Sequence, residues 1–151
     1  MELTHINKKG DAEMVDISSK PIVHREASAS GKIYLQSGTL DLIKGEKIGK
    51  GDVLSVARIA GISGGKATSS LIPLSHNITI NKIDIKFDID KDGIKIWSKA
   101  VCDGRTGIEM EALMAVSISA LTIYDMCKAV DKTMVISDIK LEGKKKSELQ
   151  Y

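Results

Sequence analysis

The chain has 151 residues, 42% hydrophobic and 28% charged, which suits one soluble domain with a buried core, residues 1–151. A formal charge of +2 is too small to argue for nucleic acid or an anionic membrane as partner, although local lysine clusters suit a small anion. The two cysteines, Cys102 and Cys127, have neither CxxC spacing nor a nearby histidine set, so no zinc site is expected.

Residues 1–20 are polar and mixed and read as a flexible or partner-docked arm. They hold no apolar leader, and the longest uncharged apolar run, 112–124, is too short to span a bilayer, so a cytoplasmic protein with reduced thiols is expected. Residues 22–36 alternate as a strand, and "SGTLDLIKG" suggests a short helix capped by Ser37 or Thr39 and stopped by Gly45. A second helix begins at "GDVLSVARIA", where Val53, Val56, Ala57 and Ala60 form one face. Gly61, Gly64 and Gly65 are expected to weaken it, and Pro73 bars its continuation.

Residues 77–89 and 93–102 alternate as two strands joined at "DKDG", a hairpin signal. A long helix follows over 107–129, then a strand over 133–143 and a basic, mobile tail over 144–151. The order β, α, β, β, α, β is that of an α+β, ferredoxin-like fold, a four-stranded antiparallel sheet with helices packed on one face. The core is expected over 22–143.

The long helix is apolar almost all round, with charges at its ends. Thr106 and Glu109 have capping-box spacing, and acids suit a helix N-terminus. Asp125 and Lys128 are i,i+3 neighbours, an ion pair worth ~0.3–0.5 kcal/mol on a surface. Glu111, Ala115, Ile118, Thr122 and Asp125 fall near one line at ~100° per residue, with Glu111 and Asp125 ~21 Å apart. A stripe of small residues flanked by acids, on a helix apolar beyond one face, predicts an antiparallel partner helix from a second subunit.

Other chemistry-bearing residues read two ways. Lys50, before Gly51 and Asp52, opposes a helix dipole by up to ~1 kcal/mol unless an anion joins it. "GISGGKAT" fails the P-loop pattern at Ala60 and Ala67, although Lys66 remains a point charge for phosphate. His76 is a structural residue or a site residue, and Ser75 beside it lacks the GxSxG of a nucleophile elbow. Arg25 is an exposed strand residue or an anion clamp, Lys144 to Lys146 a solvated tail or a cation cluster, and Met110 core filler. RNA binding on the open sheet needs strand aromatics, and the hairpin strands offer only Phe87 and Trp97.

"MVDISSKP", "KGDVLSVARIAGISGGKATSSLIPLSH" and "TGIEMEALMAVSISALTIYDMCKA" resemble the molybdenum cofactor biosynthesis protein C family, the cyclic pyranopterin monophosphate synthases. The similarity runs from "LTHIN" at residue 3 to Lys144. It implies a homohexamer, a trimer of dimers with active sites at subunit interfaces, and no redox cofactor; the sequence itself has no HExxH, EF-hand loop or metal cluster, so no metal is expected. The implied substrate is 3′,8-cyclo-7,8-dihydroguanosine triphosphate, supplied by a radical-SAM enzyme, and the products are cyclic pyranopterin monophosphate and pyrophosphate.

The resemblance implies a catalytic aspartate at Asp125 and essential lysines at Lys128 and Lys50. It implies substrate contacts at Leu74, Ser75, His76, Glu109, Met110 and Glu111, with further basic positions at Lys66, Arg25 and Lys144. Two departures stand out: "LIPLSHN" replaces the family's "LIPLCHP", and "KKKSELQY" replaces its glycine-rich tail. Acid–base work by lysine requires a pKa lowered by burial or neighbouring cations. The alternative is a non-catalytic, nucleotide- or pterin-binding ferredoxin-like module.

Overall fold

The structure is a computed structural model that describes residues 5–149. The expectations for Met1 to Thr4 of the arm, and for Gln150 and Tyr151 of the tail, lie outside the described residues. The elements run β1 (Val23–Tyr34), α1 (Ser37–Lys44), α2 (Val53–Lys66), α3 (Thr68–Leu71), β2 (Ile80–Ile89), β3 (Gly93–Gly104), α4 (Glu109–Cys127) and β4 (Val135–Ser147). The sheet order is β2-β3-β1-β4, every neighbour antiparallel. This is the expected ferredoxin-like α+β arrangement.

Period-2 alternation makes the sheet two-faced. Ala27, Ala29 and Ile33 of β1 and Ile94, Ile96, Ala100 and Cys102 of β3 are buried beneath α4. The other face carries paired charges, among them Lys99 with Glu26 at 2.9 Å and Lys32 with Asp92 at 2.6 Å. Trp97 is exposed on this face. Phe87 packs against the core instead, with the Arg58 guanidinium 5.6 Å above its ring.

Helix α2 does not weaken at its glycines. It runs through Gly61, Gly64 and Gly65, all buried against α4. A Cβ on Gly61 would strike the Ser119 hydroxyl and lie 2.7 Å from the Ala115 carbonyl; one on Gly64 would lie 2.5 Å from Ile118. The glycines trade helix propensity for close approach of two backbones, and the Ser119 hydroxyl donates to the Ala57 carbonyl at 3.0 Å across the seam. The stripe containing Ala115 and Ile118, expected to seek a second subunit, is therefore covered by α2 of the same chain. The apolar side chains α4 leaves exposed are Met110, Leu121 and Tyr124.

Among the described residues α4 is the one helix long and apolar enough to cross a membrane, but Ala112, Ala115, Val116, Ala120 and Ile123 are buried, making it the central core helix. Two expected caps also differ. Helix α1 starts after Gln36 without a side-chain cap from Ser37 or Thr39; buried Asp131 instead accepts from the Gln36 amide at 2.9 Å and the Thr39 hydroxyl at 3.1 Å. Helix α4 starts after Ile108 with no side-chain cap, so the Thr106–Glu109 box does not form. Strand β4 continues to Ser147, four residues past its expected end, and pairs Lys144, Lys145 and Lys146 with Ala27, Glu26 and Arg25.

Candidate active site

The sequence-derived residues gather at the two ends of α4. At its C-terminal end the Lys128 ammonium lies 2.6 Å from one Asp125 carboxylate oxygen, and the Lys50 ammonium 3.2 Å from the other. Lys50 also donates to the Asp125 backbone carbonyl at 2.9 Å, so it satisfies one of the last-turn acceptors that a helix leaves open. Asp52 accepts from the Ser55 amide at 3.0 Å to start α2, and Gly51, at φ +97°, turns the chain into it. That turn sends Lys50 away from its own helix and across to α4. The three side chains remain about half exposed.

Hydrogen bonds from Lys128 and then Lys50 hold the Asp125 carboxyl below the usual aspartate range. The Asp125 hydrogen bond raises the Lys128 ammonium above the usual lysine value. The expected lowering by burial is thus reversed in this arrangement, because a carboxylate in contact outweighs any loss of water. Lys128 is thereby held as the ammonium and is a weaker acid than a free lysine, so acid–base work by it requires this contact to loosen.

At the N-terminal end, a cavity of about 260 Å³ is lined by Leu74, Ser75, His76, Thr106, Glu109 and Met110, with His5 of the arm. Pro73 stands in a tight turn in which the Ser75 amide donates to the Ile72 carbonyl at 3.0 Å; the turn presents Leu74 to His76 as one group. A second cavity of about 310 Å³ shares Glu109 and adds Arg25, Lys144, Lys145 and Lys146. Lys144 donates to Glu109 at 3.0 Å. Arg25 donates to the carbonyls of Gly104 and Arg105 at 2.9 and 3.1 Å, holding the turn that leads into α4.

Glu111 is turned inward. It is 2% exposed, and its Oε2 has no hydrogen-bond partner among the described residues. Burial, reinforced by the Glu109 charge, raises its carboxyl above the usual value of 4.5. Burial likewise pushes the Cys102 thiol up to about 11, and Cys127 to the same value. Lys66 opens onto a different cavity of about 370 Å³ lined by Ile62, Ile78, Ile80, Asn81, Lys82 and Ile83.

The two ends do not meet within one chain. Glu109 and Asp125 stand sixteen positions apart in the helix, ~24 Å at the α-helical rise. The matching family model, described as the MoaC family, covers residues 14–147. The chain belongs to the MoaC family. Similar MoaC-family proteins include a cyclic pyranopterin monophosphate synthase of Peptoclostridium acidaminophilum, 54% identical over 141 residues, which are 93% of this chain and 90% of that protein. The synthase of the same description from Clostridium acetobutylicum is 56% identical over 143 residues, 93% of this chain and 89% of that one. A molybdenum cofactor biosynthesis bifunctional protein of Chlorobaculum tepidum is 49% identical over 154 residues, spanning all of this chain and 49% of the larger protein.

Among the MoaC-matched positions, the structure joins Asp125, Lys128 and Lys50 in one cluster, and Leu74, Ser75, His76, Glu109 and Met110 in one cavity, with Arg25 and Lys144 beside it. Lys66 and Glu111 join neither group. The reading of the sequence assigned no role to His5, although "LTHIN" helped carry the resemblance. Lys145 and Lys146, expected in a tail, owe their strand positions to an extension of β4 that a run of lysines does not signal.

Proposed function

We propose that this chain is a cyclic pyranopterin monophosphate synthase, a lyase that converts 3′,8-cyclo-7,8-dihydroguanosine triphosphate to cyclic pyranopterin monophosphate and pyrophosphate. The observation that carries the mechanism is the contact of Lys50 and Lys128 with opposite oxygens of one Asp125 carboxylate. Two ammoniums held by one carboxylate are aligned and close to one point. In the proposed reaction Asp125 remains ionised and positions both lysines. Lys128 donates a proton where a ring nitrogen or leaving oxygen develops charge, and the resulting amine is the base for the next transfer. Attack of a sugar-derived hydroxyl on the α-phosphorus forms the cyclic diester, breaks the bond to the β-phosphate and expels pyrophosphate.

The second group supplies binding. Glu109 and His76 offer polar atoms to the guanine-derived rings, and Arg25 and Lys144 offer cations to the phosphates. Ser75 retains a small hydrogen-bonding side chain in this wall. Lys66 is assigned to phosphate and Glu111 to a ring nitrogen, and both require a rearrangement or a neighbouring subunit to reach the reacting molecule. Because ~24 Å separates the two groups in one chain, we assign the working enzyme to a homohexamer, a trimer of dimers in which the Asp125 end of one subunit faces the Glu109 end of another. A cytoplasmic location, a single domain and substrate supply by a radical-SAM enzyme complete the proposal.

The test is to supply the cyclised nucleotide and assay pyrophosphate and the cyclic phosphate. Wild-type chain should release both, and Lys128→Ala and Lys50→Ala should release neither while keeping wild-type circular dichroism. Full turnover in both variants overturns the assignment of the lysines. Tight nucleotide binding without pyrophosphate release favours a non-catalytic binding module.

A further inference from the structure

The Glu109 cavity has a wall supplied by the N-terminal arm, and His5 stands in it. The arm is locally built. Ile6 and Ala12 bridge antiparallel, and the Glu13 amide donates to the His5 carbonyl at 2.9 Å. The Asn7 side-chain oxygen accepts from the amides of Lys9 and Asp11 at 2.9 and 3.0 Å, and Gly10, at φ +88°, closes the turn. Position 5 is therefore held by a hydrogen-bonded hairpin.

Two anchors seat the rest of the arm. Arg105 donates to the carbonyls of Ser18, at 2.8 Å, and Lys20. His76 Nε2 lies 2.7 Å from the Val15 carbonyl. A carbonyl only accepts, so this nitrogen carries the proton, and in the neutral ring Nδ1 is the acceptor left for another partner. Glu109 is engaged by Lys144. Among the described residues, the His5 ring makes no hydrogen bond.

We propose that His5 is a further substrate-binding residue that closes the Glu109 cavity over the guanine-derived rings of the substrate. The inference rests on the synthase reading of that cavity. Such rings present both N–H donors and a carbonyl acceptor, and a neutral imidazole offers one donor and one acceptor on a flat face. His76 and Arg105 hold the arm that carries His5 against the fold.

The experiment uses the full-length chain with His5→Ala and His5→Gln, GTP as a non-reacting probe, and the cyclised nucleotide for turnover. The His5 ring signal, identified by its loss from the His5→Ala spectrum, should move when GTP is added. His5→Ala should raise KM about tenfold with little change in kcat, as one lost hydrogen bond to bound substrate implies. His5→Gln, which keeps a donor and an acceptor, should recover most of that loss. A stationary His5 signal, an unchanged KM, or a KM defect that glutamine does not rescue overturns the proposal. A wild-type chain that makes no pyrophosphate overturns the synthase reading instead, because the GTP response is read without turnover.

Discussion

Asp125 and Lys128 were legible as a pair because an i,i+3 spacing on a helix fixes their proximity locally. Lys50 was not, because it arrives from 75 positions away through the turn at Gly51, which composition does not reveal. The cluster makes a discriminating substitution available. Lys128→Arg keeps the positive charge beside Asp125 but cannot release a proton at working pH; kcat should fall by at least ~100-fold with substrate binding retained, the loss expected for a general acid–base group. Single-turnover kinetics with a binding isotherm checks it. Glu111 makes a prediction of the opposite kind. Its folded-state pKa lies above the unfolded value of 4.5, so its favourable contribution is complete below pH 4.5 and is lost as pH rises through the folded value. Glu111→Gln, a neutral isostere, should therefore raise Tm relative to wild type at pH 7.5, with the gap closing toward pH 4.5, as thermal denaturation at a series of pH values would show.

Helices and strands were legible where side-chain periodicity reports directly on burial, as in β1, the β2–β3 hairpin and α4. Their ends were read less well, because the groups that hold them come from elsewhere in the chain. The Thr106–Glu109 spacing suggested a box, but the backbone enters the helix at Ile108 and Glu109 turns to Lys144. The first turn of α1 has no side-chain cap; Asp131, 92 positions beyond Thr39, holds the entry to the helix instead. Burial alone would raise the Asp131 carboxyl, but hydrogen bonds from Gln36, Thr133 and Thr39 outweigh it and hold the group below the usual value. Asp131→Ala should cost ~1–3 kcal/mol, the scale of buried donors left unpaired, measured by urea denaturation. The glycines of α2 reverse the propensity argument. Gly61→Ala gains about 1 kcal/mol of helix propensity but drives a methyl group into Ser119 and the α4 backbone. A net loss of roughly 1–3 kcal/mol is expected from overpacking, and a more stable variant would show that the α2–α4 seam yields.

Across the whole molecule, α4 organises both halves of the candidate site yet keeps them apart. If the halves meet between subunits, His76→Ala and Lys128→Ala chains, each inactive alone, should recover part of the wild-type turnover when unfolded together and refolded as mixed oligomers. Each mixed interface then includes one orientation with both halves intact, whereas failure to recover activity in demonstrably mixed oligomers places the halves in the same subunit. The sequence alone determined the element order, the two-faced sheet and the residue types at both helix ends, because these follow from local periodicity, local spacing and long motifs. Tertiary structure alone decided that Lys50 reaches Asp125, that Glu111 turns inward, that β4 carries Lys144 to Lys146 into the sheet, and that α2 covers the stripe expected to seek a partner. Each of these outcomes is a competition among groups distant in the chain for the same space, hydrogen bonds or charge, and only the packed fold brings the competitors together.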